Sequence, residues 1–262
     1  MDLGIKGRRA IVNGGSAGLG RGAALALARE GATVFVSARG EERLLKTCRE
    51  IADITDSDVI PIVADHATSE GREQILAACP EPDILIATCS PPEYIENFRE
   101  ISPEDWHKNL DLTLLSPIEM MKSVIDGMID RRWGRIVNIA TAAAKYPHPQ
   151  RILSGAPRAA LANYCLAVAK QVIQHNVTIN MLLPAMHDTD GIRGIYAKEA
   201  AANGITIEQQ LDLVARSIPI PAGYFGDAED CGAMAAMFCS EQAKYVTSQS
   251  LCVDGGYSSS IF

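Results

Sequence analysis

Aromatic residues are scarce in this chain: five Phe, two Trp and seven Tyr among 262 residues. Cysteine is present without pattern. The seven cysteines (Cys48, Cys79, Cys89, Cys165, Cys231, Cys239 and Cys252) are odd in number, dispersed and free of any Cys-x-x-Cys pair, which argues against a disulfide framework and a zinc site. No metal is expected. Basic charge is also short, with 24 Lys and Arg against 32 Asp and Glu, a net charge of −8. The only dense basic run, Arg131-Arg132-Trp133-Gly134-Arg135, is brief, so a nucleic-acid partner is not expected. No apolar run is long enough to span a bilayer, and Met1–Lys6 lacks the apolar core of a signal peptide. A cytoplasmic protein without a membrane partner is expected. Repeats, low-complexity tracts and linkers are absent as well. With 47% hydrophobic and 21% charged residues, the composition is that of a soluble globular chain, and its length suits one α/β domain with a large core.

The most informative segment runs from Ala10 to Gly20. A short apolar strand, Ala10-Ile11-Val12-Asn13, passes through Gly14-Gly15-Ser16-Ala17-Gly18-Leu19-Gly20 into the Ala- and Leu-rich helix 21–29. Glycine lets the backbone turn sharply and approach a phosphate, and the helix start offers unpaired N–H groups and a positive dipole end. Strand before and helix after make a nucleotide site. Elsewhere, β-branched stretches near residues 8–13, 33–37, 59–63, 84–87, 135–139, 177–183 and 250–253 alternate with segments of helical period. That alternation predicts parallel βαβ units in an α/β, Rossmann-type, doubly wound seven-stranded sheet covered by helices on both faces. Ligands of such a sheet bind at the carboxyl ends of the strands. Residues 188–218, with Gly191, Gly194 and Gly204 among helical pieces, break the alternation and read as a lid over the substrate.

The spacing Gly14-x-x-x-Gly18-x-Gly20 resembles the first motif of the short-chain dehydrogenases/reductases, with Asn13 where Thr is usual. The likeness extends over the whole chain, through Gly134-Arg135-Ile136-Val137-Asn138-Ile139, Val177-Thr178-Ile179-Asn180 and Val253-Asp254-Gly255-Gly256. It implies a nicotinamide dinucleotide held by Asn13, Gly14, Ser16, Gly18, Leu19 and Gly20, with Ala87 at the end of the fourth strand. Asp65 would meet the adenine amino group, with His66 packing beside it. Pro184, Ala185 and Thr189 match the loop that holds the nicotinamide carboxamide. At the end of the second strand stands Ala38-Arg39, with no carboxylate before Glu41. A carboxylate there serves a ribose hydroxyl and an arginine a 2′-phosphate, so NADP(H) is favoured over NAD(H), although no second basic residue stands in the glycine loop, where Ala17 lies.

Departures from the family pattern gather at the reacting end. The Asn-Asn-Ala-Gly after the fourth strand is replaced by Ala87-Thr88-Cys89-Ser90, the helix Asn falls on Thr113, and the usual Ser falls on Thr141. No Tyr-x-x-x-Lys occurs; Tyr164 is followed four residues on by Val168, and the aligned pair is Ser154 and Arg158. The chain thus resembles a divergent Ser-x-x-x-Arg branch of the family. Residues four apart on a helix share a face, so Arg158 can hold the nicotinamide ribose and supply charge, but a guanidinium does not shuttle protons. Ser is a shorter and weaker acid than a phenol, and Pro157 would suit a first helical turn with Ser154 as N-cap. Lys145, Tyr146 and His148 follow Thr141 on a loop bordering the same pocket and are candidate proton donors, Lys145 and Tyr146 foremost.

These residues point to hydride transfer between a nicotinamide, NADPH favoured, and a small carbonyl or secondary alcohol. Two other readings stay open: a lyase, isomerase or hydrolase on the same scaffold, for which no Gly-x-Ser-x-Gly elbow is present, and a nucleotide-binding sensor without chemistry. The resemblance also implies a homodimer or homotetramer pairing through helices at 103–130 and 154–175, with residues 257–262 contributing.

Overall fold

In the computed structural model, which describes residues 1–218 and 220–258, seven parallel strands form the central sheet: β1 (Arg9–Asn13), β2 (Thr33–Ala38), β3 (Val59–Val63), β4 (Ile84–Ala87), β5 (Gly134–Ile139), β6 (Val177–Pro184) and, after two short strands, β9 (Ser250–Val253). Their order is β3-β2-β1-β4-β5-β6-β9. The expected single α/β domain is thus present, and the strand limits differ from expectation by one residue at most. The short strands β7 (His187–Asp188) and β8 (Gly226–Asp227) pair in a separate two-stranded sheet that the sequence pattern does not announce, because two residues carry no periodicity.

Alternate side chains of each strand enter two different cores, which is why the strands read as continuous apolar runs. Val12, Val36, Ile86 and Val137 face α1 (Gly18–Arg29), α2 (Glu41–Thr55) and α9 (Ala228–Phe238). Ile11, Leu85, Ile136 and Ile179 face α3 (Ser69–Ala78), α5 (Ser116–Asp130) and α6 (Ile152–Val172). Between β9 and β6 on one side and β3 on the other, the winding reverses at β1 and β4. Such a switch point opens a crevice outside the strand ends.

The helix expected at 103–130 is divided. α4 (Pro103–Leu110) opens on a capping box, with Ser102 Oγ accepting from Asp105 N and Asp105 accepting from Ser102 N. A π turn, Asp111–Leu115, then joins it to α5. Thr113 is buried in that turn and donates its hydroxyl to the Asn109 carbonyl at 2.6 Å. Sequence periodicity does not register a single wider turn of this kind. α7 (Asp190–Asn203) and α8 (Ile207–Ser217) occupy the expected lid segment, tied together by Arg193, which bridges Asp188 at 2.7 Å and Glu208 at 2.8 Å. No described helix is long and apolar enough to cross a membrane. Residues 259–262 of the C-terminal stretch expected at a subunit contact lie outside the described residues.

The contact between α1 and α9 is closed by glycines. A Cβ on Gly22 would run into the Ala228 carbonyl, and one on Gly232 into the Gly22 carbonyl. Gly22→Ala is therefore expected to cost about 2 kcal/mol through overpacking and to lower the melting temperature by about 4–8 °C in calorimetry. Gly194→Ala in α7, where a Cβ meets nothing within 4 Å, should leave the melting temperature unchanged or slightly raised.

Candidate active site

At the switch point lies a cavity of about 470 Å³, within the range of cofactor sites. Its floor is the glycine loop. Gly14 has φ +70° and Gly18 φ +52°, a region that L side chains rarely adopt. A Cβ on Gly14 would lie 2.5 Å from the Thr88 carbonyl oxygen, and one on Gly20 would strike the Gly14 carbonyl. Only glycines allow the β1 and β4 loops to meet this closely. Ala17 is the N-cap of α1 and offers no side-chain acceptor to the first-turn N–H groups, which leaves them for a phosphate.

The lining brings together the sequence candidates Gly14, Ser16, Gly18, Leu19, Gly20, Arg39, Asp65, His66, Thr141, Ser154, Arg158, Pro184 and Thr189. Arg39 is 73% exposed, 3.8 Å from Asp65, and Arg43 of α2 lines the same rim. A second cation, absent from the glycine loop, thus stands on α2, four residues beyond Arg39. His66 is fixed through Ser116: their Nδ1 and Oγ lie 2.7 Å apart, and Ser116 Oγ donates to the His66 carbonyl at 2.6 Å. Burial lowers its pKa, opposed by Asp65, and the ring is held in place as a packing group. Asn13 and Ala87 lie below the main cavity, lining a small one of about 20 Å³ with Asn138 and Arg158. Asn13 Oδ1 accepts from the Ser37 hydroxyl at 2.8 Å.

At the reacting end, Ser154 and Arg158 are joined as helical spacing requires: Arg158 Nη1 donates to Ser154 Oγ at 2.9 Å and to its carbonyl at 3.3 Å, and Nη2 donates to Cys89 Sγ at 3.2 Å. Ser154 is not an N-cap. α6 begins at Ile152 with Arg151 as its N-cap, and Pro157 sits inside the helix, so Ser154 belongs to the first turn and its hydroxyl is free to face the cavity. The helix start comes close to the turn after β5 because Gly155 has no side chain; a Cβ there would lie 2.6 Å from the Ala143 carbonyl. Thr141 Oγ1 accepts from Ala143 N at 3.3 Å.

Lys145 and Tyr146 are not among the lining residues. Lys145 is exposed, its ammonium 5.6 Å from the Tyr146 ring centroid, because the turn Ala142–Ala144 carries the chain away from the crevice. His148 Nδ1 accepts from Gln150 N. Sequence reasoning passed over Arg43, Cys89, Arg151 and His187, all of which line the cavity. Arg151 stands three residues before Ser154 and seven before Arg158, a helical spacing recognisable only with the helix start correctly placed.

His187 is buried, and its Nδ1 has no partner among the described residues. Burial lowers its pKa from the ordinary 6.5, against the opposing pull of the Ala185 backbone and nearby Asp230, Asp227 and Asp254. A histidine kept neutral in the fold contributes stability that is complete above pH 6.5 and is lost as the pH falls below it, where the unfolded chain takes up the proton more readily. Melting curves between pH 7 and pH 5 should show wild type losing more stability than His187→Val; parallel curves would remove His187 as a cause.

Comparison with known proteins agrees with this geometry. The family model described as enoyl-(acyl carrier protein) reductase matches residues 14–258. The chain is 28% identical to the NADPH-dependent reductase BacG of Bacillus subtilis over 97% of its length and 99% of the relative's. It is 26% identical to the 3-oxoacyl-[acyl-carrier-protein] reductase FabG of Aquifex aeolicus, over 98% and 99%. Among solved structures, the L-sorbose reductase of Gluconobacter frateurii, complexed with NADPH and L-sorbose, superposes with a TM-score of 0.93 at 26% identity, covering all of both chains. The glycine cradle at the β1–β4 switch point and this full-length match have one meaning: the chain belongs to the short-chain dehydrogenase/reductase family of oxidoreductases.

Proposed function

We propose that this protein is an NADP(H)-dependent oxidoreductase that interconverts a small carbonyl compound and its secondary alcohol. The observation that carries the reading is the joint lining of one cavity by the glycine cradle, the Arg39–Arg43 rim and the Ser154–Arg158 pair. The NADPH complex of the sorbose reductase supports the choice of nucleotide. Gly14, Ser16, Gly18, Leu19 and Gly20 would hold the pyrophosphate, Arg39 and Arg43 the 2′-phosphate, Asp65 and His66 the adenine, and Arg158, Pro184 and Thr189 the nicotinamide riboside. A bound nicotinamide supplies the hydride or takes it up.

The chain's own part is to handle the oxygen. Ser154 Oγ accepts a hydrogen bond from a permanent cation, which polarises its O–H and leaves that proton free to donate. Thr141 Oγ1 likewise has its accepting side occupied by Ala143 N. Two hydroxyl donors and a fixed positive charge therefore meet the oxygen on which negative charge develops during reduction. The proton that completes the alcohol passes through Ser154, which recovers it from solvent. Residues 188–218 would cover the substrate and exclude water.

Two measurements test this. Nicotinamide fluorescence titration should show NADPH binding at least about tenfold tighter than NADH, a difference of 1.4 kcal/mol, and the Arg39→Ala/Arg43→Ala double variant should abolish the difference; equal affinities in wild type would overturn the NADP(H) assignment. In carbonyl reduction, Ser154→Ala should lower kcat about 100-fold, the scale of a lost oxyanion donor. Lys145→Ala and Tyr146→Phe should stay within about twofold of wild type, since neither side chain lines the cavity. A larger loss in either variant than in Ser154→Ala would return the proton-donor role to the loop.

A further inference from the structure

Several guanidinium groups that leave water in this protein have a carboxylate beside them. Arg135, 0% exposed, has Glu241 within 3.9 Å; Arg8 has Asp83 at 3.4 Å; Arg131 has Asp83 at 3.9 Å. Arg158 has none. It is 4% exposed, and its partners are a hydroxyl, a carbonyl and a thiol, all neutral. Arg151, the half-buried N-cap of α6 seven residues earlier, also has no carboxylate partner. Its Nη1 donates to the Pro92 carbonyl at 3.3 Å, and its guanidinium lies 3.6 Å from the centroid of Tyr94. Among the described residues no carboxylate comes within 4 Å of either arginine; the two that line the cavity, Asp65 and Asp190, pair with neither.

Two cations without a carboxylate partner, Arg158 buried and Arg151 half-buried, at the Ser154 end of one cavity favour an anion there. A buried charge without a counter-charge is expensive, and a guanidinium cannot escape by losing its proton. The nucleotide would not supply that anion, because the groups proposed for its phosphates lie on the glycine loop and at Arg39 and Arg43, whereas the part proposed to lie at Arg158 is an uncharged ribose. We infer that the substrate is a short organic acid: an oxo acid in the reductive direction, the hydroxy acid in the oxidative one. Its carboxylate is held by Arg151, with the charge of Arg158 behind it, while its carbonyl lies against Ser154 and Thr141. The inference rests on the oxidoreductase reading above.

Arg151 is prepared for that role. The Pro92 carbonyl and the Tyr94 ring fix the plane of its guanidinium and leave further N–H groups for a carboxylate, which a planar fork binds in bidentate fashion. Arg151 at the N-cap and Ser154 in the first turn stand three residues apart at the start of α6, which suits a carboxylate separated from the reacting carbonyl by a few carbons. Tyr196 of α7 lies near the same corner: its hydroxyl pKa is raised by burial, by Tyr94 and by Glu199, and Arg151 opposes the shift.

The test follows NADPH oxidation with 2-oxobutyrate, acetoacetate and 4-oxopentanoate against their methyl esters, for wild type, Arg151→Met and Arg151→Lys. Alongside, melting temperatures of the NADP⁺-loaded proteins are measured with 2-hydroxybutyrate, 3-hydroxybutyrate and 4-hydroxypentanoate. At least one acid should exceed its ester in kcat/KM by about 30-fold or more, the scale of a charged hydrogen-bonded contact. Arg151→Met should abolish that advantage, raising KM for the acid far more than for its ester, and Arg151→Lys should restore part of it. Esters turned over as well as or better than every acid would overturn the inference and leave the oxidoreductase reading standing. If nothing is turned over, but a hydroxy acid raises the melting temperature of wild type and not of Arg151→Met, the anion site is upheld and the redox reading falls. If that shift is also missing, both fall.

Discussion

Everything at this site depends on one close approach of backbone to backbone. The loop after β1 turns at Gly14 against the Thr88 carbonyl of the loop after β4, and Gly20 brings the start of α1 against the same pair. The reversal of winding creates a crevice between β1 and β4, and glycine keeps side chains out of it, so that backbone N–H groups form its floor. The same economy of side chains recurs at Gly22 and Gly232, where α1 meets α9, and at Gly155, where α6 meets the turn after β5. Each removes a Cβ where a functional segment is pressed against its support.

On that scaffold the reacting end is rebuilt around an arginine. Arg158 is held between Ser154 and Cys89, and its charge is permanent, so its contribution is electrostatic and positional. On the proposed reading, the short Ser154 relies on a second fixed cation, Arg151 at the N-cap of the same helix, to bring the substrate to it. The departures from the family pattern are thus mutually consistent in charge and in length.

Much of the nucleotide end was legible in the sequence because its signals are local. Glycine spacing after a strand, Arg39 at the end of β2, and Thr189 after β6 each sit within a few residues of the element that places them. The reacting end was less so. Whether Ser154 caps a helix or belongs to its first turn depends on three residues of helix start, and Pro157 suggested the later start; packing of Gly155 against Ala143 sets the earlier one, and with it the alignment of Arg151, Ser154 and Arg158. Lys145 and Tyr146 are adjacent in sequence to Thr141, yet the turn at Ala142–Ala144 carries them out of the cavity.

By itself the sequence determined the fold class, the strands and the glycine cradle, because apolar periodicity and the steric freedom of glycine are properties of a few neighbouring residues. The tertiary structure alone decided which cations share the cavity, that Arg158 is buried without a carboxylate, that Arg43 joins Arg39, and that the helix at 103–130 is broken by a π turn. These outcomes depend on distances between segments far apart in sequence, such as Cys89 and Arg158, 69 residues apart. Charge compensation and burial are settled by which segments the sheet order brings together, and residue spacing along the chain does not carry that information.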